Sequence, residues 1–287
     1  MWTHDDPRNS VLATARKHGL TTHLAVSMKD SSAHTRALEE AAVDLAVMCN
    51  YRLILGRRAL GAARLGAINV HPSLLPRHRG PSPLAWAILT GDRQSGVTAI
   101  LADEGIDTGD ILTQAVVPLE PSDDLTTLVR RLAPAVRTVT REVLAMARSG
   151  PLVGTPQPAA EATIARRLTE DDLRLVWTRP AAYLSRLTLV GYSQSAWFLR
   201  GQVVVRVQRG RPVSIEALCG PHRQAMPVSA ADSVLSDSTL LAAAQHPSPG
   251  QVLKGGETPL VQTGEGVLQI TAWETPGIFL REGEQLS

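Results

Sequence analysis

The sequence is poor in aromatics, lysine and cysteine. Phe, Trp and Tyr make up 3% of its 287 residues, so its cores must be filled by aliphatic side chains and Ala. Lysine occurs only as Lys17, Lys29 and Lys254, which leaves 26 of the 29 basic residues as Arg (29 minus 3). The formal net charge of +2 is too small to mark a nucleic-acid binder. Cys49 and Cys219 are the only cysteines, which excludes a disulfide framework or a CxxC metal or redox site. They are expected as free thiols in a reducing cytoplasm. No apolar run approaches a membrane span. The first ten residues, MWTHDDPRNS, lack the apolar stretch of a signal peptide. A cytoplasmic protein without a membrane partner is the expectation.

The length suffices for two domains with separate cores. Strands and helices alternate over the first half. Helical spacing covers Val11–His18, a helix runs from Ser31 or Ser32 through Ala42, and a third covers Arg57–Leu65. Strands are expected at Thr22–Ser27, Val43–Cys49 and Ala67–His71, the last two as buried apolar runs. Ser82 with Pro83 opens a helix that ends before Gly91. Further strands cover Gly96–Ala102 and Ile111–Leu119. A long helix then runs from Ser122–Asp124 to Arg148, kinked or broken at Pro134. This alternation predicts an α/β, doubly wound, mostly parallel sheet in domain 1–150.

Gly150, Pro151, Gly154, Pro156 and Pro158 mark a linker, 151–168. Residues 169–287 read as a second domain. It has a helix at Arg179–Leu189 and short strands at Ala196–Arg200, Val203–Gln208, Gln251–Lys254, Leu260–Thr263 and Val267–Trp273. These suggest a small OB-like barrel. An irregular insertion, 211–250, interrupts it, with a helix near Leu235–Ala244.

Chemistry-bearing residues concentrate between Ala67 and Ile111. Asn69 and His71 are two apart on a strand, so they share a face. They lie at its carboxyl end, where such sheets bind ligands. Asn offers an amide donor for an oxyanion, and His a base near neutral pH. Asp107 follows the next strand, and a carboxylate beside imidazole can fix its tautomer and stabilise its charged form. Each has an ordinary reading alone: a turn former, a structural histidine, an Asx turn. Together, with no Ser or Cys nucleophile in evidence, they suit direct attack by an amine on an activated acyl carbon. Asn69 and protonated His71 would hold the oxyanion, and Asp107 would help remove the amine proton. No metal is expected.

Asn69-Val70-His71-Pro72-Ser73-Leu74-Leu75-Pro76, Arg79-Gly80, Pro83, Gly91, Gly96-Val97-Thr98 and Asp107-Thr108-Gly109-Asp110 together resemble the folate-dependent formyltransferases. The resemblance implies formyl transfer from 10-formyltetrahydrofolate to a primary amine, on a Rossmann-like sheet, with Asn69, His71 and Asp107 as the catalytic trio. It implies that Asn50, Tyr51, Arg52, Leu53, Ile54 and Leu55 line the pteridine pocket, largely through backbone groups. Asp103, Glu104, Gly105, Ile106 and Asp107 would close its other side. Arg166–Asp172, Val176-Trp177, Pro249–Val252 and Thr263–Gly266 resemble the family's C-terminal barrel domain.

Within the family, Thr3–Pro7 and Asn50-Tyr51-Arg52 look closest to enzymes formylating UDP-4-amino-4-deoxy-L-arabinose and related amino sugars. Formylation domains that start some nonribosomal peptides are similar. From Pro151 onward there are 12 basic and 12 acidic residues, whereas a tRNA-gripping domain should be basic. A small-molecule amine acceptor, such as an amino sugar, an amino acid or a carrier-bound aminoacyl group, is therefore expected ahead of tRNA. Methionyl-tRNA formyl transfer is the alternative. The resemblance also implies a strand, turn and helix ahead of Trp2-Thr3-His4. A sheet lacking its first strand is expected, from either a late-assigned start or a real truncation. In the second case the chain would be a non-catalytic folate- or partner-binding remnant.

Overall fold

The structure is a computed structural model that describes residues 2–3, 10–24, 32–51, 55–191, 195–213, 248–275 and 278–287. It forms two compact units that interleave along the chain. Unit 1 is Met1–Gly80, Ser95–Val117 and Leu132–Ile164; unit 2 is Pro81–Gln94, Pro118–Arg131 and Ala165–Ser287.

Unit 1 opens with strand β1 (Trp2–Thr3), helix α1 (Ser10–Lys17) and strand β2 (His23–Leu24). β1 and β2 pair in parallel as a two-stranded sheet. Of the expected strand Thr22–Ser27, residues 25–27 lie outside the described residues. Helix α2 (Ser32–Ala41), strand β3 (Ala46–Cys49), helix α3 (Arg57–Leu60) and strand β4 (Ala67–His71) follow. The expected helix Arg57–Leu65 stops early because Gly61 caps α3. β3 and β4 join β5 (Gln94–Leu101) and β6 (Ile111–Pro118) in the order β3-β4-β5-β6. β3 runs parallel to β4, and β5 antiparallel to it, so the sheet is mixed.

β4 is an interior strand, and Ala67, Ile68, Val70 and His71 are all buried. β3 departs from the expected buried strand. It pairs only with β4 among the described residues, and Val47 is 46% exposed. An apolar run reads alike for an edge and an interior strand, and the neighbour decides which it is. Leu38, Val43, Met48, Leu60 and Ala102 pack against buried Ala46, Ala63 and Ala67.

Helix α4 (Pro83–Thr90) has Pro83 in its first turn and ends in Gly91 at φ +72°. Helix α5 (Leu125–Ser149) is unbroken through Pro134. A proline costs one helical hydrogen bond there, while Val139 and Val143 are fully buried. Asp124 caps α5, accepting the Thr127 N–H at 2.8 Å.

Unit 2 carries helix α6 (Ala181–Leu187), shorter than expected because it starts after Pro180. Strands β7 (Ala196–Arg200), β8 (Val203–Val213), β9 (Val252–Lys254), β10 (Leu260–Gln262) and β11 (Val267–Trp273) form one sheet in the order β7-β8-β11-β10-β9, with antiparallel neighbours. β8 passes the expected end at Gln208 because β11 pairs with it as far as Val213. The C-terminal residues bridge the two edges: Gln285 pairs with Gln251 beside β9, and Ser287 exchanges backbone hydrogen bonds with Leu199 of β7. The curled sheet thus becomes barrel-like. Phe198 is fully buried in it, edge-on to Trp177 at 5.3 Å. Cys219 and the expected helix near Leu235–Ala244 lie outside the described residues. Among the described residues no helix is long and apolar enough to cross a membrane.

Candidate active site

The end of β4 and the turn after β5 form the site. The antiparallel register sets Thr98 opposite His71 and Ile100 opposite Asn69. β5 leads into the turn that carries Asp107, whose φ is +54°. A Cβ at Gly109 would overlap the carbonyl oxygen of Leu101, so glycine there lets the turn close against the end of β5. That closure returns Asp107 to β4.

Asp107 is the hub. Its Oδ1 accepts the Asn69 Nδ2–H at 2.8 Å, and its Oδ2 accepts the Gly80 backbone N–H at 2.8 Å. Gly80 has a φ of +110°, a conformation that favours glycine. Asp107 Oδ1 also lies 3.5 Å from His71 Nδ1. With its side chain only 13% exposed, the carboxylate needs partners for both oxygens and has them.

His71 Nε2 lies 2.9 Å from the carbonyl oxygen of His78. A carbonyl only accepts, so a hydrogen on Nε2 suits this contact, and Nδ1 is the ring nitrogen turned toward Asp107. Burial pushes the imidazole pKa below its ordinary value, while the Asp107 charge and the His78 carbonyl pull the other way. The net direction is downward, which favours the neutral form and agrees with a base near neutral pH. A buried cation loses more hydration than the nearby charge returns.

The loop from Pro72 to Gly80 holds these groups in place and contains a cis Leu75–Pro76 bond. Thr98 Oγ1 donates to the Ser73 carbonyl at 2.6 Å and accepts from Leu75 N–H at 3.1 Å and Gln114 Nε2 at 2.8 Å. Ser73 Oγ donates to the Arg77 carbonyl at 2.7 Å. The His78 N–H donates to Thr163 Oγ1 at 2.8 Å.

The expected pocket walls flank this cluster in sequence. Asn50 is exposed at φ +51°, Tyr51 is half-buried, and Leu55 is buried. Burial raises the Tyr51 hydroxyl pKa. Arg52, Leu53 and Ile54 lie outside the described residues. On the other wall, Asp103 accepts from the Gly105 N–H at 3.0 Å and from Thr108 Oγ1 at 2.7 Å. Glu104 pairs with Arg57 at 2.7 Å. Asp103 is thus engaged within the turn and Glu104 with α3, while Ile106 is exposed. Among the described residues no cluster of three or more His, Cys, Asp or Glu could hold a metal.

The structure brings Asn69, His71 and Asp107 into one hydrogen-bonded and electrostatic cluster. Sequence reasoning missed the Gly80 N–H, the His78 carbonyl, Thr98, Gln114, Gln157 and Thr163 as participants. Backbone donors have no side-chain signature, although Gly80 stood in the quoted motif. Thr163 and Gln157 lie beyond α5, where no local pattern points back to the site.

Residues 6–144 match the family model described as formyl transferase. A methionyl-tRNA formyltransferase of Anaeromyxobacter dehalogenans (strain 2CP-1) is 42% identical over 173 residues, covering 60% of this chain and 55% of the relative. The chain thus spans about half the length of that relative. The methionyl-tRNA formyltransferase of Synechococcus sp. (strain JA-3-3Ab) is 34% identical over 273 residues, covering 94% of this chain and 77% of the relative. HypX from Aquifex aeolicus, solved in complex with tetrahydrofolic acid, is similar in fold. Its TM-score is 0.61 at 22% identity, covering 93% of this chain and 42% of that one.

Proposed function

This chain belongs to the folate-dependent formyl transferase family, and from that premise we propose that it moves a formyl group from a 10-formyl folate to a primary amine. The observation that carries the reading is the Asp107 carboxylate held between Asn69 at 2.8 Å and His71 Nδ1 at 3.5 Å. The donor supplies an acyl carbon attached to a nitrogen leaving group. The backbone-rich turn Asp103–Thr108 suits the donor and acceptor edge of a pteridine ring.

The chain's own groups divide the work. Asn69 gives one amide hydrogen to Asp107, and its second can meet the oxygen of the reacting formyl group as negative charge develops. Neutral His71 accepts the proton that the attacking amine must lose, directly at Nδ1 or through a water. Asp107 stabilises the resulting imidazolium, which then donates its hydrogen to the departing nitrogen. The new carbon–nitrogen bond forms on the amine, the old one breaks, and His71 returns to neutrality. One oxyanion donor is worth about a hundred- to a thousandfold in turnover. General acid–base catalysis adds roughly a hundred- to ten-thousandfold.

For the acceptor, the relatives support the aminoacyl end of methionyl-tRNA, reversing the order the sequence alone suggested. A small amine is the second reading, favoured by the balance of 12 basic and 12 acidic residues from Pro151 onward. The test mixes the protein with 10-formyltetrahydrofolate and, separately, methionyl-tRNA, UDP-amino sugars, amino acids and carrier-bound aminoacyl groups. Tetrahydrofolate release with methionyl-tRNA alone supports the first acceptor, and release with a small amine alone the second. Folate binding without release in any mixture leaves only the non-catalytic reading.

A further inference from the structure

Gln157 lies far from the trio in sequence, in an extended stretch between Pro156 and Pro158. Thr155 exchanges two backbone hydrogen bonds of 2.8 Å with Ile111 at the start of β6. That pairing brings Gln157 to the Asp107 turn. Its Nε2 donates to the carbonyl oxygens of Asp107 at 2.9 Å and Gly109 at 2.7 Å. Its Oε1 accepts from Arg79 Nε at 3.0 Å and Nη2 at 2.7 Å. A side-chain amide has two donor hydrogens and two acceptor sites, and all four are engaged.

The four bonds join two segments that must stay in register. One carries Asp107. The other carries Arg79, immediately before the Gly80 N–H that binds Asp107 Oδ2 at 2.8 Å. Asp107 also sits at φ +54°, in the left-handed region that non-glycine residues uncommonly adopt. Arg79 is anchored separately by its backbone N–H, which donates to the Thr163 carbonyl at 2.8 Å.

We propose that Gln157 is a positioning residue for the reaction: its amide clamps the Asp107 turn to the Arg79-Gly80 segment and so aims the carboxylate at Asn69 and His71. The proposal rests on the formyl-transfer reading for its kinetic consequence. Its structural consequence, the placement of Asp107 beside His71, can be read without turnover.

Gln157→Glu keeps the length and the acceptor for Arg79 but turns a carboxylate oxygen toward two carbonyls. Gln157→Met keeps the bulk and removes every polar bond. With the acceptor that wild type uses, kcat should fall about a hundredfold in both variants, the cost of a misplacement near 1 Å. KM should change less than kcat. In parallel, the His71 ring is titrated by NMR in the full chain. The ionisable groups facing it are Asp107 and His78. With Asp107 loosened, the attraction that offsets burial weakens, so the His71 pKa should drop further in Gln157→Met. The Gly80 amide resonance should shift with it. Wild-type kcat with an unchanged His71 titration in both variants overturns the proposal. So does a loss of kcat that follows only a fall in melting temperature, with the His71 titration unmoved in the folded fraction. If wild type turns over no acceptor, the functional reading fails, and the titration alone decides the clamp.

Discussion

The Nε2 of His71 lies 2.9 Å from the carbonyl oxygen of His78, and this contact turns the other ring nitrogen, Nδ1, toward Asp107. His78 is itself held by its N–H to Thr163 Oγ1 at 2.8 Å, so the acceptor does not swing away. Nδ1 thereby faces Asp107 Oδ1 at 3.5 Å.

This arrangement sets a pH dependence. Burial lowers the His71 pKa below 6.5, so the neutral base persists into mildly acidic solution. kcat/KM should be flat near neutrality and fall only below an apparent pKa that is itself under 6.5. The stability sign follows from linkage. Between the folded pKa and about 6.5 the unfolded chain binds more protons, so this histidine's contribution to stability is present above that window and is lost as pH falls through it. A kcat/KM profile that turns over at or above 6.5 contradicts the neutral resting ring.

Asn69→Ala removes the amide that donates to Asp107 Oδ1 and that the proposed reaction uses to meet the formyl oxygen. Turnover should fall about a hundred- to a thousandfold. The protein should remain folded, because β4 keeps Ile68 and Val70 in its core. Release of tetrahydrofolate measures the first effect and circular dichroism the second. Activity within tenfold of wild type sinks the oxyanion role.

Thr98→Val preserves shape while deleting an oxygen that serves three partners: Ser73, Leu75 and Gln114. Thr98 is fully buried, so water cannot readily replace it. A buried group left unsatisfied costs about 1–3 kcal/mol. A lowered melting temperature is expected, together with faster hydrogen exchange at the Leu75 amide. Unchanged exchange there would falsify Thr98 as the anchor of the loop.

In unit 2, Phe198→Ala empties the position between Trp177 at 5.3 Å and Trp273 at 6.4 Å. Phe-to-Ala changes in a closed core cost about 3–5 kcal/mol. Denaturant unfolding followed by tryptophan fluorescence should show that loss. A midpoint equal to wild type would mean that the ring does not pack as described.

Much was legible because it depends on local pattern. β4 announced itself through AINVH, α4 through Pro83 and Gly91, and the Asn69/His71 pair through strand alternation. The rest depends on neighbours. VDLAVMC reads as a buried strand, yet Val47 is half exposed, because burial depends on what covers each face of the sheet and not on the run itself. Pro134 reads as a break, yet α5 continues through it while burying Val139 and Val143. Gln157 reads as linker, yet it spans Asp107, Gly109 and Arg79.

The sequence by itself determined the residue types of the site, the face that Asn69 and His71 share, and the family to which the chain belongs. Backbone periodicity and motif spacing are written in the order of residues. Tertiary structure alone decided that Asp107 returns to Asn69 and Gly80, that His71 is buried with Nε2 against the His78 carbonyl, and that Gln157 bonds to the turn. Each of these depends on desolvation and on hydrogen bonds between segments separated in the chain, and neither exists until the chain has folded around them.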